Sequence, residues 1–299
     1  MRISTSQIFN QSLKSMQRQQ SELQISQSQL SSGLRLQKPS DDPTGMGRAL
    51  NLESSLSSLD QYARNNLRAG SSLKLQEQTL ASTAESVQRL RELALQGGSP
   101  ANDAKERRLL AEEVEAQINT LLSLVNTRDE NGEYIFAGSR TDQQPFVRNA
   151  ADDVLYQGSQ VAKELALSDG TMIRIRDPGD ALFMEEPGSV FVAARELREL
   201  LTGDSSNITS GIENVLERLG KSQETLDAQR AVIGARLNQA EMADEINAGL
   251  KFQLQTVLSE TRDIDYLEVI SRFNQQVTAL EAVQKTFISV SELSLLKFL

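Results

Sequence analysis

Apolar residues recur every seven positions along much of this chain. Phe9, Met16, Leu23 and Leu30 keep that spacing through the first 36 residues, with Leu13, Ile25 and Leu34 beside them. The pattern predicts an amphipathic helix with a narrow apolar stripe. Eight of the first 30 residues are Gln, so the remaining faces are polar without being strongly charged. A second seam, Leu52, Leu59, Asn66, Leu73, Leu80, Val87 and Ala94, predicts a long helix over 49–96. Asn66 is its one polar member, and a buried Asn in such a seam fixes register at some cost in stability. Leu110, Val114, Ile118, Leu121 and Val125 predict a third helix that Asn102 or Asp103 can cap.

The period then changes. Asn131-Gly132 is a hairpin turn signal followed by the aromatic run Tyr134-Ile135-Phe136. Short strands are predicted at 146–147, 154–156, 161–167 and 172–176, with Asp169-Gly170 as the turn between the last two. In the last strand Ile173 and Ile175 alternate with Arg174 and Arg176. This small β insert is too short for a substantial core of its own. Helical spacing returns at 190–201, and after a loop at 203–207 a helix of about 50 residues is expected over 210–260. Its seam is Leu219, Leu226, Ile233 and Ala240, resuming at Leu254 after Asn247. A last helix carries Tyr266, Phe273, Leu280 and Phe287 seven apart, flanked by Ile270, Val277 and Val283, and the chain ends in Phe298-Leu299.

Prolines punctuate this pattern. All six lie at or before position 187, which leaves the last 112 residues free for long helices. Pro39, Asp41, Asp42 and Pro43 interrupt the helices near one end, as do Asp263 and Asp265 near the other, so these six residues form a candidate hinge. Asp41 and Asp42 read as a turn and a cap rather than as metal ligands, because no third ligand stands at metal-loop spacing. An EF-hand at the Asn131-Gly132 loop fails as well, since Thr127 occupies its first ligand position.

The fold class expected is mainly α: long antiparallel, coiled-coil-like helices from both chain ends, with a β-hairpin and a small β insert. Pairing the two ends buries their stripes against each other. Residues 1–38 carry a net charge of +4 and residues 260–299 a net −2, a modest complement. Screened surface pairs contribute only about 0–1 kcal/mol each, so burial must dominate.

Composition narrows the chemistry. The 299 residues include no Cys, His or Trp. That excludes a Ser-His-Asp triad, a thiolate nucleophile, an imidazole base and the usual structural zinc site. No catalytic residue, metal site or cofactor is expected, and the chain reads as a non-enzyme. A glycosidase carboxylate pair remains chemically conceivable, but no Asp/Glu pair sits among the aromatics that line sugar sites. A net charge of −10 argues against nucleic-acid binding, which needs a basic stripe. No apolar run reaches membrane-span length, and the start lacks the apolar segment of a Sec signal peptide, so neither membrane insertion nor Sec export is expected.

Several segments resemble the flagellin superfamily: the start Met1-Arg2-Ile3-Ser4-Thr5, the run from Leu30-Ser31-Ser32-Gly33-Leu34-Arg35 through Pro39-Ser40-Asp41-Asp42-Pro43, and the Asp265-Tyr266 helix. The run from Asn131 to Ser139, with Thr141, Pro145 and Phe146, and the segment from Arg230 to Asn238 look more narrowly like the hook–filament junction members of that superfamily. The likeness is weakest over 149–187. It implies an extracellular structural subunit of the bacterial flagellum, exported by the flagellar type III apparatus. Residues 1–40 and 261–299 would be the inner-tube domain, 41–148 and 188–260 a helical shaft, and 149–187 a β insert. The assembly interface would comprise Phe9, Met16, Leu23, Leu30, Tyr266, Phe273, Leu280, Phe287, Phe298 and Leu299. Implied partners are the hook-side junction protein, flagellin or the filament cap, an export chaperone for the C-terminal helix, and further copies of the chain in a ring. The alternatives are flagellin itself and a cytosolic coiled-coil adaptor; the adaptor would stay inside cells rather than appear in sheared flagella.

Overall fold

A computed structural model describes residues 2–99, 102–203 and 208–295. Seven helices and two antiparallel hairpins are present among them, in keeping with the mainly α, flagellin-like class. The chain divides into two compact units, residues 1–58 with 250–299, and residues 59–249.

In the first unit, α1 (Arg2–Ser32) and α7 (Tyr266–Leu295) pack against each other. The stripe at the N-terminus predicts helix through Leu34, but α1 stops two residues earlier. Gly33 takes a left-handed φ of +75° while its N–H still donates to the Gln29 carbonyl at 2.8 Å. That is the glycine C-cap geometry that ends helices. Leu34 thereby leaves the helix and forms an antiparallel bridge with Asp263. The long helix α2 (Pro43–Gly97) begins six residues before the start its seam predicts. Asp42 Oδ1 accepts the Thr44 and Gly45 N–H groups at 3.1 and 2.9 Å, and Pro43 occupies the first turn, where its missing N–H costs nothing.

The second unit holds the extensive core. On α2 the seam residues Leu59, Asn66, Leu73, Leu80, Val87 and Ala94 are buried. On α6 (Ile208–Arg262) so are Leu219, Leu226, Ile233, Ala240 and Asn247. Helix α3 (Ala104–Val125) starts with a full capping box: Asp103 accepts from Glu106 N–H at 2.7 Å and Glu106 accepts from Asp103 N–H at 3.0 Å. It packs on α5 (Val190–Thr202), which Ser189 caps. Between them, β1 (Phe146–Arg148) pairs with β2 (Val154–Tyr156), and β3 (Lys163–Ser168) pairs with β4 (Thr171–Arg176). A one-turn helix α4 (Asp180–Phe183), too short to give a periodic signal, buries Leu182 and Phe183. Phe183 meets Phe136 and Phe146 edge-on at centroid distances of 5.1 and 5.6 Å.

Two readings of the β region need correction. The aromatic run after Asn131-Gly132 turns as expected, with Gly132 at φ +76°, but forms only isolated bridges, Arg128 to Tyr134 and Ala137 to Pro178. Its backbone groups go to several different segments: Tyr134 N–H to the Thr141 carbonyl, Ile135 N–H to Thr127, and Ser139 N–H to Val161. No single partner strand can form. Arg176 is not on the solvent side of its strand. It is 3% exposed, because the β3–β4 register slips at the neighbouring Ile175 and turns it inward onto Asp129 and Glu133.

Candidate assembly interface

Among the described residues the first unit fully buries few apolar side chains: Leu36, Ala49, Leu258 and Val269. The predicted interface residues occupy the facing helices α1 and α7. Phe9 and Phe287 stack at a tilted 5.0 Å between centroids, yet Phe9 keeps 40% of its surface in water. Met16, Leu23, Leu30, Phe273, Leu280 and Phe287 are half-buried. Tyr266 is 54% exposed, with its hydroxyl beside Gly33, where an added Cβ would come within 3.0 Å of it. Phe298 and Leu299 lie outside the described residues. Pairing the two terminal helices thus covers only part of the apolar stripes. Fully burying a large apolar side chain from water is worth about 1.5–3 kcal/mol, so completing the burial of each half-covered one adds roughly half of that.

The same unit exposes apolar residues that heptad reading passed over. Phe252 and Leu267 are 74% and 84% exposed, and Leu50 and Leu250 are exposed as well. Phe252 and Leu267 lie off the seven-residue seams, and an apolar residue beside a polar stretch of a helix was the only signal for them.

The candidate hinge residues act as caps and turns. Asp41 Oδ2 accepts the backbone N–H groups of Gln37 and Lys38 at 3.2 and 2.9 Å. Asp42 caps α2 ahead of Pro43. Asp265 Oδ1 accepts from Leu267 and Glu268 N–H at 2.9 and 3.3 Å and starts α7. Asp263 forms the bridge to Leu34 and lies 3.7 Å from the Arg262 guanidinium. Pro39 sits exposed in the intervening turn.

The two distinctive motifs prove to be internal fasteners of the second unit. In the first, Ile135, Phe136 and Ala137 are fully buried. Gly138, at φ +62°, has no room for a side chain: a Cβ would stand 2.3 Å from the Ser159 carbonyl oxygen and 2.7 Å from that of Val161. In the second, Arg230 binds Glu77 Oε1 through Nε and Nη2 at 3.1 and 2.7 Å. Ile233 is fully buried, and Arg236 and Gln229 together hold the Asp177 carboxylate.

Charged groups in the second unit are largely paired. Glu115 accepts from Arg148 Nη1 at 2.6 Å and from Arg198 Nη1 at 2.5 Å, and both arginines also bind Asp152. The hydrogen bond from Arg148, joined by that from Arg198, lowers Glu115 below the usual carboxylate range and holds Asp152 at about 2. Burial alone would raise Asp129 and Glu133. For Asp129, the Glu133 N–H bond and Arg176 reverse this; for Glu133, Lys163 and Arg176 do, so both carboxylates also stay ionised. Burial pushes the Tyr156 hydroxyl up to about 12, and it donates to the Ser159 carbonyl at 2.9 Å. Among the described residues no three Asp or Glu converge as metal ligands would, and no helix is long and apolar enough to cross a membrane.

Comparison with known proteins agrees with the motifs. Residues 3–141 match the bacterial flagellin N-terminal helical region. Flagellar hook-associated protein 3 of Escherichia coli (strain K12) is 26% identical over 99% of this chain and 98% of its own length. Flagellin of Bacillus subtilis (strain 168) is 24% identical over 85% of this chain and 84% of its own length. Among solved structures, the flagellar hook associated protein-3 from Legionella pneumophila superposes with a TM-score of 0.64 at 19% identity, covering 70% of this chain and 97% of that one. The fold is shared, and these likenesses support a structural role in the bacterial flagellum.

Proposed function

We propose that this chain, which resembles flagellar hook-associated protein 3 along its whole length, is the subunit that joins the flagellar hook to the filament and buffers the mechanical mismatch between them. The observation that carries the reading is the likeness over 99% of this chain and 98% of the relative, which leaves no large segment of either unmatched. The half-covered stripes of α1 and α7 support it, because a subunit built for a tube needs apolar surface that its own fold does not consume.

On this reading residues 1–40 and 261–299 form the inner tube, 41–148 and 188–260 the shaft, and 149–187 a β insert. Phe9, Met16, Leu23, Leu30, Tyr266, Phe273, Leu280, Phe287, Phe298 and Leu299 enter subunit contacts, and copies close into a ring. The hook-side junction protein lies below, and flagellin or the filament cap above. An export chaperone protects the C-terminal helix before passage through the flagellar type III apparatus. The subunit performs no catalysis.

A deletion strain tests this. Electron microscopy should show hooks without filaments, with flagellin released to the medium. Normal filaments would overturn the proposal. The similarity to flagellin over 85% of the chain favours a second reading, filament subunit; in that case the medium would hold no flagellin once the gene is removed.

A further inference from the structure

The β3–β4 hairpin has two residues without a cross-strand partner, Leu167 and Ile175, each beside a register slip or skipped pairing. Extra residues of this kind leave backbone groups unpaired. Here side chains of the long helices take up their carbonyls. Asn247 of α6 donates its amide to the Leu167 carbonyl at 2.7 Å, and Ser72 of α2 donates to the Ile175 carbonyl at 3.0 Å, joined there by Gln76. Beside the first contact, Asn65 of α2 donates to the Ala166 carbonyl at 2.8 Å. Beyond the second, Arg236 of α6 grips Asp177 with two nitrogens.

These contacts form four corners. The tip of the hairpin is held by Asn65 on α2 and Asn247 on α6, and its root by Gln76 on α2 and Arg236 on α6. On each helix the two pins stand eleven residues apart, which is about 16 Å at 1.5 Å per residue. The extended stretch from Thr171 to Asp177, β4 and one residue more, spans about 20 Å at 3.3 Å per residue, close to the length of helix it covers. Leu167, Ile173 and Ile175 are buried, while Met172 and Arg174 face water.

This stretch contains both polar seam members. Asn247 spends its amide N–H on the hairpin, whereas Asn66 is 5% exposed and neither its amide nitrogen nor its oxygen has a hydrogen-bond partner. An unsatisfied buried amide weakens a seam. We propose that the β3–β4 hairpin is a splint: pinned at four corners to two antiparallel helices, it fixes their axial register across the span where the seam itself is weakest. The inference holds whichever ring of the flagellum the subunit occupies, since it concerns contacts within one chain.

Hydrogen exchange read by mass spectrometry on the full-length monomer tests it, with the variant Asn65→Ala/Asn247→Ala. Loss of the two tip pins should speed exchange at least about tenfold in the hairpin and also in the helical segments 59–80 and 233–249, while α3 and α5 keep their protection. Faster exchange confined to the hairpin would show it to be a passenger and overturn the proposal. If the double variant does not fold, Asn247→Ala alone gives the same two outcomes. A second measurement uses Asn66→Leu, which replaces the unsatisfied amide with an apolar knob. In that background removal of the pins should speed helix exchange clearly less than in the native sequence. An equal effect in both backgrounds would show that the hairpin does not offset the polar seam.

Discussion

Arg35 and Arg262 meet backbone to backbone, the N–H of Arg35 donating to the Arg262 carbonyl at 2.7 Å. The Ile264 N–H returns a bond to the Gly33 carbonyl at 3.1 Å, and Arg35 Nη2 reaches the Thr261 carbonyl at 2.5 Å. Arg262 in turn pairs with Glu53 at 2.5 Å. The two interruptions, at 33–42 and 263–265, are therefore stapled together and not two independent kinks. Bending at this joint is expected to move both chain segments as one. Reconstruction of a junction on a bent hook, without imposed symmetry, should show different joint angles around the ring with the Arg35–Arg262 contact kept in every subunit. Identical angles throughout would refute the hinge, and a contact broken in some subunits would refute the concerted movement.

The terminal helices are expected to be the least protected part of the free monomer. Their stripes are only half-covered by each other, so little burial offsets the chain entropy lost on ordering them. Amide exchange over 5–30 and 266–293 should be fast beside that of α3 and α5, and should slow on assembly. Strong protection in a verified monomer would contradict this.

Replacing Phe273 with Asp places a charge in the α1–α7 seam, at a cost on the order of 2–4 kcal/mol once that surface is fully covered. The variant should still be exported but fail to enter flagella. Phe273→Asp protein recovered in sheared flagella at the normal level would mean that this face of α7 stays in water.

Glycines in one motif should respond very differently to a methyl group. Gly132 has φ +76° and open space around it, so Gly132→Ala should cost only the left-handed backbone penalty, about 1–2 kcal/mol. Gly138 combines φ +62° with two carbonyl oxygens inside 2.8 Å of the added carbon, and neither is a flexible side-chain end. Gly138→Ala should cost more than about 4 kcal/mol, in the range reserved for backbone strain plus steric clash. Urea unfolding of the two variants decides it; similar midpoints would mean that the 159–161 segment yields freely.

Heptad spacing made the helices legible, because a helix returns every seventh residue to nearly the same face, whereas a strand sends it to the opposite one. Leu73, Leu80, Leu219 and Ile233 are all fully buried as their spacing implies. Turn chemistry at Asp169-Gly170 fixed the β3–β4 hairpin, with Gly170 at φ +73°. What spacing does not carry is register. The slip at Ile175 reverses the facing of Arg176, and no local pattern announces it. The exposed Phe252 and Leu267 escaped because periodicity finds residues that share a face, whereas these stand off every seam. The motif from Arg230 to Asn238 was visible as a resemblance, but its role in gripping Glu77 and Asp177 needs the third dimension.

Acid should loosen the second unit through one cluster in particular. Glu115 and Asp152 each accept hydrogen bonds from Arg148 and Arg198, and both titrate below their ordinary values, Asp152 at about 2. In the unfolded chain these carboxyls take up protons near pH 4. Between that point and the folded values the unfolded state binds more protons, so stability present at neutral pH falls as pH drops from about 5 toward 2. Glu115→Gln/Asp152→Asn removes both titrations while keeping side-chain size, and Asn tolerates the φ of +72° at position 152. The variant should be less stable at pH 7, because Arg148 and Arg198 lose their charged acceptors, and its stability should depend less on pH between 5 and 2.5. Asp129 and Glu133 titrate in both proteins, so the difference between the two urea-unfolding profiles isolates this cluster. Parallel profiles would show that the four charges contribute equally to the folded and unfolded states.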